Sequence, residues 1–91
     1  MPFTLVYHPA VRTEDLPLID SKTKQRIRKA IEERLKTAPD DFGEPLRKTL
    51  MGYWKLRAGD YRVVFKVLGS EVWIFGIRHR KEAYRRLGTR K

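Results

Sequence analysis

Two runs concentrate the side chains able to do chemistry, Lys55-Leu56-Arg57-Ala58-Gly59-Asp60-Tyr61-Arg62 and Ile77-Arg78-His79-Arg80-Lys81-Glu82-Ala83-Tyr84. They hold arginine, lysine, histidine and tyrosine, but no Ser-His-Asp arrangement. Gly43, Gly52 and Gly59 are too scattered to make a phosphate loop. The chain has no cysteine and only two histidines, far apart, so neither a metal centre nor a cofactor is expected. What the set suits is a phosphodiester passing through a pentavalent phosphorane. Arginine offers a fixed fork of donors, lysine a point charge, and tyrosine a phenol that moves protons or stacks on a base. RNA supplies its own 2′-hydroxyl as nucleophile, so a protein cutting it needs only proton movement and charge stabilisation.

Each of these residues also has a plainer reading. Lys55 and Arg57 serve equally well as the solvated face of an antiparallel sheet. Arg62 can pair with Asp60, two residues before it, and Tyr84 can pack a terminal helix against the sheet. His79 stands between Arg78 and Arg80, where a neutral imidazole is able to accept a proton. His8, at a strand end beside Pro9, reads as structural, and Trp54, Trp73 and Phe75 read as core.

Charge sharpens the picture. The 91-residue chain carries 21 Lys and Arg against 11 Asp and Glu, a net +10. Residues 1–52 hold ten basic against eight acidic side chains, and residues 53–91 hold eleven against three. A surface of one sign attracts a polyanion by steering and counterion release. Nucleic acid is the favoured partner, with a solubilising surface or an acidic protein partner as the alternatives.

The elements that position these groups follow from periodicity. Phe3–His8 has the β-branched and aromatic content of a strand, with Phe3, Leu5 and Tyr7 on one face. Residues 10–16 form a short helical segment with Val11, Asp15 and Leu16 about a turn apart. Asp20-Ser21 caps the clearest helix, residues 21–37, whose apolar stripe is Ile27, Ala30, Ile31 and Leu35. Ala38-Pro39 ends it, and residues 40–48 read as a polar loop. Gly52 reads as a bulge or a point of close approach.

Three strands follow, residues 53–57, 61–67 and 71–77, joined by turns too short for anything but antiparallel neighbours. Alternation sets Lys55 and Arg57 on one face, and likewise separates Arg62 and Lys66 from Tyr61, Val63 and Phe65. The expected architecture is one α+β domain over residues 1–91. It is an antiparallel-rich twisted sheet of about four strands, two N-terminal helices packed on one face, and a short C-terminal helix carrying Tyr84. The other face is left to the cations Lys55, Arg57 and Arg62. No apolar run reaches the roughly 18–20 residues of a membrane span. The N-terminus lacks a signal-peptide core, and a small domain without disulfides favours the cytoplasm.

The run KLRAGDYRVVFKV followed by IRHRKEAYRR resembles the signature of the RelE/ParE superfamily of toxins from type II toxin–antitoxin systems. The resemblance extends over essentially the whole chain, matching that superfamily's order of strand, two helices, three-strand meander and terminal segment. It implies, on the RelE-like branch, a ribosome-dependent endoribonuclease that cuts messenger RNA in the decoding site. By the same resemblance, Lys55 transfers a proton or binds phosphate, and Arg62 stabilises transition-state charge. Arg78 or Arg80 holds the phosphate, Tyr84 donates or accepts a proton or stacks near the cut, and His79 is a candidate base. Arg57, Lys66, Arg78, Lys81 and Arg85 are the expected RNA-binding cations. Tyr53 departs from the pattern, standing where a further lysine is expected. The implied partners are messenger RNA, the ribosome and a cognate acidic antitoxin whose helical or extended segment wraps the domain. The alternatives are a ParE-like gyrase inhibitor, which has no chemistry of its own, and a non-catalytic RNA- or ribosome-binding domain.

Overall fold

The computed structural model describes residues 3–47, 50–82 and 87. Strands β1 (Thr4–Tyr7), β2 (Glu44–Pro45), β3 (Trp54–Ala58), β4 (Tyr61–Leu68) and β5 (Glu71–His79) form one sheet. Their order across it is β1-β5-β4-β3-β2. The last three are the antiparallel meander that short turns dictate. Gly59, with φ of +63°, opens the first of those turns in a conformation that side chains resist. β1 lies parallel to β5, Thr4 opposite Glu71, which requires the helical crossover between them.

The α+β class therefore holds, with five strands rather than about four. The added strand, β2, comes from the stretch read as loop and pairs Glu44 with Lys55 and Pro45 with Trp54. It is two residues long at the sheet edge, where a proline costs the ladder nothing.

Helix α1 comprises a wide turn, Val11–Asp15, that tightens to 3₁₀ geometry over Leu16–Leu18 around Pro17. Helix α2 runs over Ser21–Ala30 and continues through Ile31–Leu35. Asp20 caps it as expected, accepting from the Thr23 N–H at 3.4 Å. A third helical turn, α3 (Pro39–Phe42), starts at the proline expected only to end α2. The expected C-terminal helix, with Ala83, Tyr84 and Arg85, falls outside the described residues.

The main core lies between α1, α2 and one sheet face. Val11, Ile19, Ile27, Ile31 and Leu35 meet Leu56, Val63, Phe65, Val72, Ile74 and Ile77 there, all buried. Gly43 is the point of close approach, since a Cβ there would sit 2.5 Å from Phe65 Cζ, whereas nothing lies within 4 Å of the same position at Gly52. Gly52 instead turns the chain with φ of +95°. The bulge is in β5. Val64 faces Gly76 but Phe65 faces Ile74, so Phe75 is the extra residue.

That bulge puts Phe75 on the second sheet face, which is not the bare cationic surface anticipated. Leu50, Val64 and Leu87 form a second buried cluster there, with Leu46, Tyr53 and Phe75 packed around it. Trp54 packs on the main core. Trp73 lies half-buried outside both clusters, its indole N–H donating to Glu71 at 3.1 Å.

Candidate functional site

Strand register assembles the basic face. Arg57 lies directly opposite Arg62, and Arg62 directly opposite Arg78, so three arginines stand in one row across β3, β4 and β5. Lys55 belongs to the next row, opposite Val64, and Val64 in turn faces Gly76. Like charges directly opposite one another cost stability. The row therefore needs either local compensation or an anion.

Local compensation is partial. Arg62 curls over the β3–β4 turn and donates to the carbonyls of Gly59 at 3.0 Å and Tyr61 at 2.9 Å. The plainer alternative, a pairing of Arg62 with Asp60, is not what holds it. Asp60 sits instead 3.9 Å from the exposed Arg80, whose N–H bonds the Asp60 carbonyl. Arg78 Nε reaches Asp15 at 3.0 Å. Lys55 lies 3.7 Å from Glu44 of β2. Among the described residues, the exposed side chain of Arg57 makes no hydrogen bond or ion pair.

The floor beneath the row is apolar. Val64 is fully buried under Leu50 and Leu87, and Tyr53 and Phe75 stand beside them with rings 4.9 Å apart. Lys66 lies half-buried, its ammonium 5.3 Å from the centre of the Tyr53 ring. Cations over low-dielectric ground hold an anion more strongly than the same cations in open water. His8, on the same side, is structural as expected. Its Nδ1 accepts from the Ala10 N–H at 3.0 Å, fixing the start of α1, and its ring meets Phe75 at 5.1 Å.

His79 lies on the other sheet face from this set but shares a recess with Arg78. It pairs in register with Tyr61, shares that residue's helix-side face, and meets its ring edge-on at 5.5 Å. Its Nδ1 accepts from the Lys81 N–H at 3.3 Å. With Leu18, Ile19, Tyr61 and Lys81 it lines a recess of about 270 Å³ that Arg78, at the end of the arginine row, and its partner Asp15 also border. Tyr84 and Arg85 lie outside the described residues. Among the described residues, no three His, Asp or Glu side chains converge to hold one metal ion.

Sequence reasoning passed over one residue of this neighbourhood, Asp15, whose partners Ile77 and Arg78 are more than sixty positions away. A carboxylate on the apolar stripe of Val11 and Leu16 was the available signal. The chain also holds a larger groove, of about 660 Å³, on the opposite side of the sheet between α1, α2 and β1. Leu5, Val11, Leu16, Ile27 and Ile31 line its floor, and Arg12, Lys24 and Arg28 are among its polar borders.

Residues 5–84 match the ParE toxin family of type II toxin–antitoxin systems. No curated protein matches. Among solved structures, a chain of the RelBE2 toxin–antitoxin complex from Mycobacterium tuberculosis is 26% identical with a TM-score of 0.81, over 88% of this chain and 93% of that one. The E. coli toxin RelE, in an arginine-substituted mutant in the free state, is 18% identical with a TM-score of 0.71, over 99% and 94% of the two chains. A YoeB/ParE toxin from Agrobacterium tumefaciens is 24% identical with a TM-score of 0.66, over 85% and 98%. These last two establish likeness of fold.

Proposed function

The chain belongs to the ParE toxin family of type II toxin–antitoxin systems, and from that premise we propose that it is a metal-independent endoribonuclease that cuts messenger RNA in the ribosomal decoding site. The observation that carries this reading is the row Arg57–Arg62–Arg78 with Lys55 beside it, on an apolar floor. A row of cations that repel one another is matched by a phosphodiester whose charge grows in the transition state.

In the reaction the RNA 2′-oxygen attacks the adjacent phosphorus and gives up its proton, while the 5′-oxygen leaves and gains one. The products are a 2′,3′-cyclic phosphate and a 5′-hydroxyl. Arg62 stabilises the charge on the phosphorane. Arg78, in line with Arg62, holds the phosphate, and Arg80, at the neighbouring turn, binds the strand. Lys55 moves a proton or binds the phosphate, and Tyr84 moves the other proton or stacks on the adjacent base. His79, on the other sheet face but in the recess that Arg78 also lines, is the candidate base where the RNA follows Arg78 round the end of β5. Arg57, Lys66, Lys81 and Arg85 hold the RNA backbone.

The partner controlling this activity is an acidic antitoxin. The groove between α1, α2 and β1, apolar at its floor and bordered by Arg12, Lys24 and an Arg28 paired with Glu32, suits an acidic amphipathic segment. The described residues contain no helix long and apolar enough to cross a membrane, and a cytoplasmic site of action follows from the ribosomal target.

The family's ParE name supports a second reading, inhibition of DNA gyrase without chemistry by the chain itself. Purified toxin added to ribosomes loaded with a defined messenger separates the two. Cleavage that falls on Arg62→Ala is the ribonuclease outcome. Intact messenger together with blocked supercoiling by gyrase is the other.

A further inference from the structure

Asp15 is the one charged side chain buried among the described residues, 2% exposed, and no step of the cleavage reading uses it. A buried carboxylate is costly unless charge and hydrogen bonds compensate it. Here both oxygens are engaged. Oδ2 accepts from the Ile77 N–H at 2.9 Å and Oδ1 from Arg78 Nε at 3.0 Å. β1 stops pairing at Tyr7 opposite Ile74, so among the described residues the edge of β5 beyond that point has no strand neighbour on that side. The Asp15 carboxylate from α1 takes its place.

The consequence reaches the basic face. Arg78 stands opposite Arg62, which stands opposite Arg57. A negative charge fixed beside the outermost guanidinium lowers the repulsion within the row and fixes that guanidinium's direction. We propose that Asp15 is a positioning residue that holds Arg78 in register with Arg62, so that the three arginines meet a phosphodiester already arranged. The proposal rests on the ribonuclease reading and draws into it a helix that otherwise covers the core and borders the groove.

The test measures cleavage of ribosome-bound messenger by wild type, Asp15→Asn, Arg78→Ala and the double variant, with kcat, KM and thermal midpoint for each. Asparagine keeps an acceptor for the Ile77 N–H but removes the charge beside Arg78. The expected result is a kcat loss of about tenfold or more for Asp15→Asn with KM unchanged or lower, because misplacing one group costs rate while the face becomes more positive. In the double variant the losses should not multiply, Asp15→Asn adding no more than about twofold to Arg78→Ala. Losses that multiply, or that follow the thermal midpoint in kcat and KM alike, would overturn the proposal and leave Asp15 a purely structural residue. If Asp15→Asn does not fold, Arg78→Lys carries the test, since lysine keeps the charge but not the Nε–H that Asp15 holds. A kcat loss matching that of Arg78→Ala is then expected, and wild-type kcat overturns the idea. Failure of the wild type to cut would sink the ribonuclease reading and this proposal together; cutting with multiplied losses sinks this proposal alone.

Discussion

At the scale of single residues, Arg62 is the most informative position. It is central in the row, and among the described residues its side chain bonds only the carbonyls of Gly59 and Tyr61. Arg62→Ala should therefore reduce cleavage by about 10²–10³-fold, the usual effect of losing one donor to a developing oxyanion. It should leave the thermal midpoint nearly unchanged, measured by calorimetry beside the activity assay. A large fall in midpoint would make the arginine structural instead. Strand alternation alone placed Lys55, Arg57 and Arg62 on one face, and they share it because period 2 is enforced wherever the opposite face is a core. Side-chain pairing was not legible in this way. Asp60 is two residues from Arg62 in sequence yet sits beside Arg80, because the turn points its carboxylate toward the end of β5. His79 lies next to two arginines in sequence and on the other face of the sheet from Lys55 and Arg62 in space.

At the scale of elements, α2 was the clearest feature of the chain, and its cap gives a pH test. The Thr23 hydrogen bond holds the Asp20 carboxyl below the ordinary aspartate range. A depressed folded pKa contributes stability that is full above the unfolded value, about 3.9, and is lost as pH falls through the folded one. The midpoint gap between wild type and Asp20→Ala should accordingly be constant near neutrality and close in acid; a gap independent of pH would contradict the cap. Gly43 gives a packing test. A Cβ there would press on the ring of fully buried Phe65, so Gly43→Ala should destabilise by about 1–3 kcal/mol in denaturant titration. A neutral result would mean that α3 and β2 shift freely to make room. Both elements were illegible in the sequence for the same reason. β2 has two residues and α3 four, too few for any period to show, and both depend on contacts with β3 and α2. The β5 bulge was equally hidden, since it is defined only by what Val64 and Phe65 face on the partner strand.

At the scale of the whole molecule, the charge is the governing quantity. The net +10 of the chain is carried mostly by residues 53–91, which supply the three arginines of the row, so binding to RNA should weaken steeply as salt rises. Each phosphate neutralised should add about 0.7 to the negative slope of log affinity against log salt for a single strand. A three-arginine row predicts a slope of about −2 from these contacts alone, reduced by about 0.7 in Arg57→Ala. A slope unchanged by that substitution would remove Arg57 from the RNA contact. The measurement that bears most directly on function is 5′-end mapping of cellular messenger RNA after brief induction, wild type beside Arg62→Ala. New 5′-hydroxyl ends inside translated frames, depleted in the variant, are the expected result. Growth arrest by wild type with no new ends would contradict the ribonuclease reading and favour gyrase as the target.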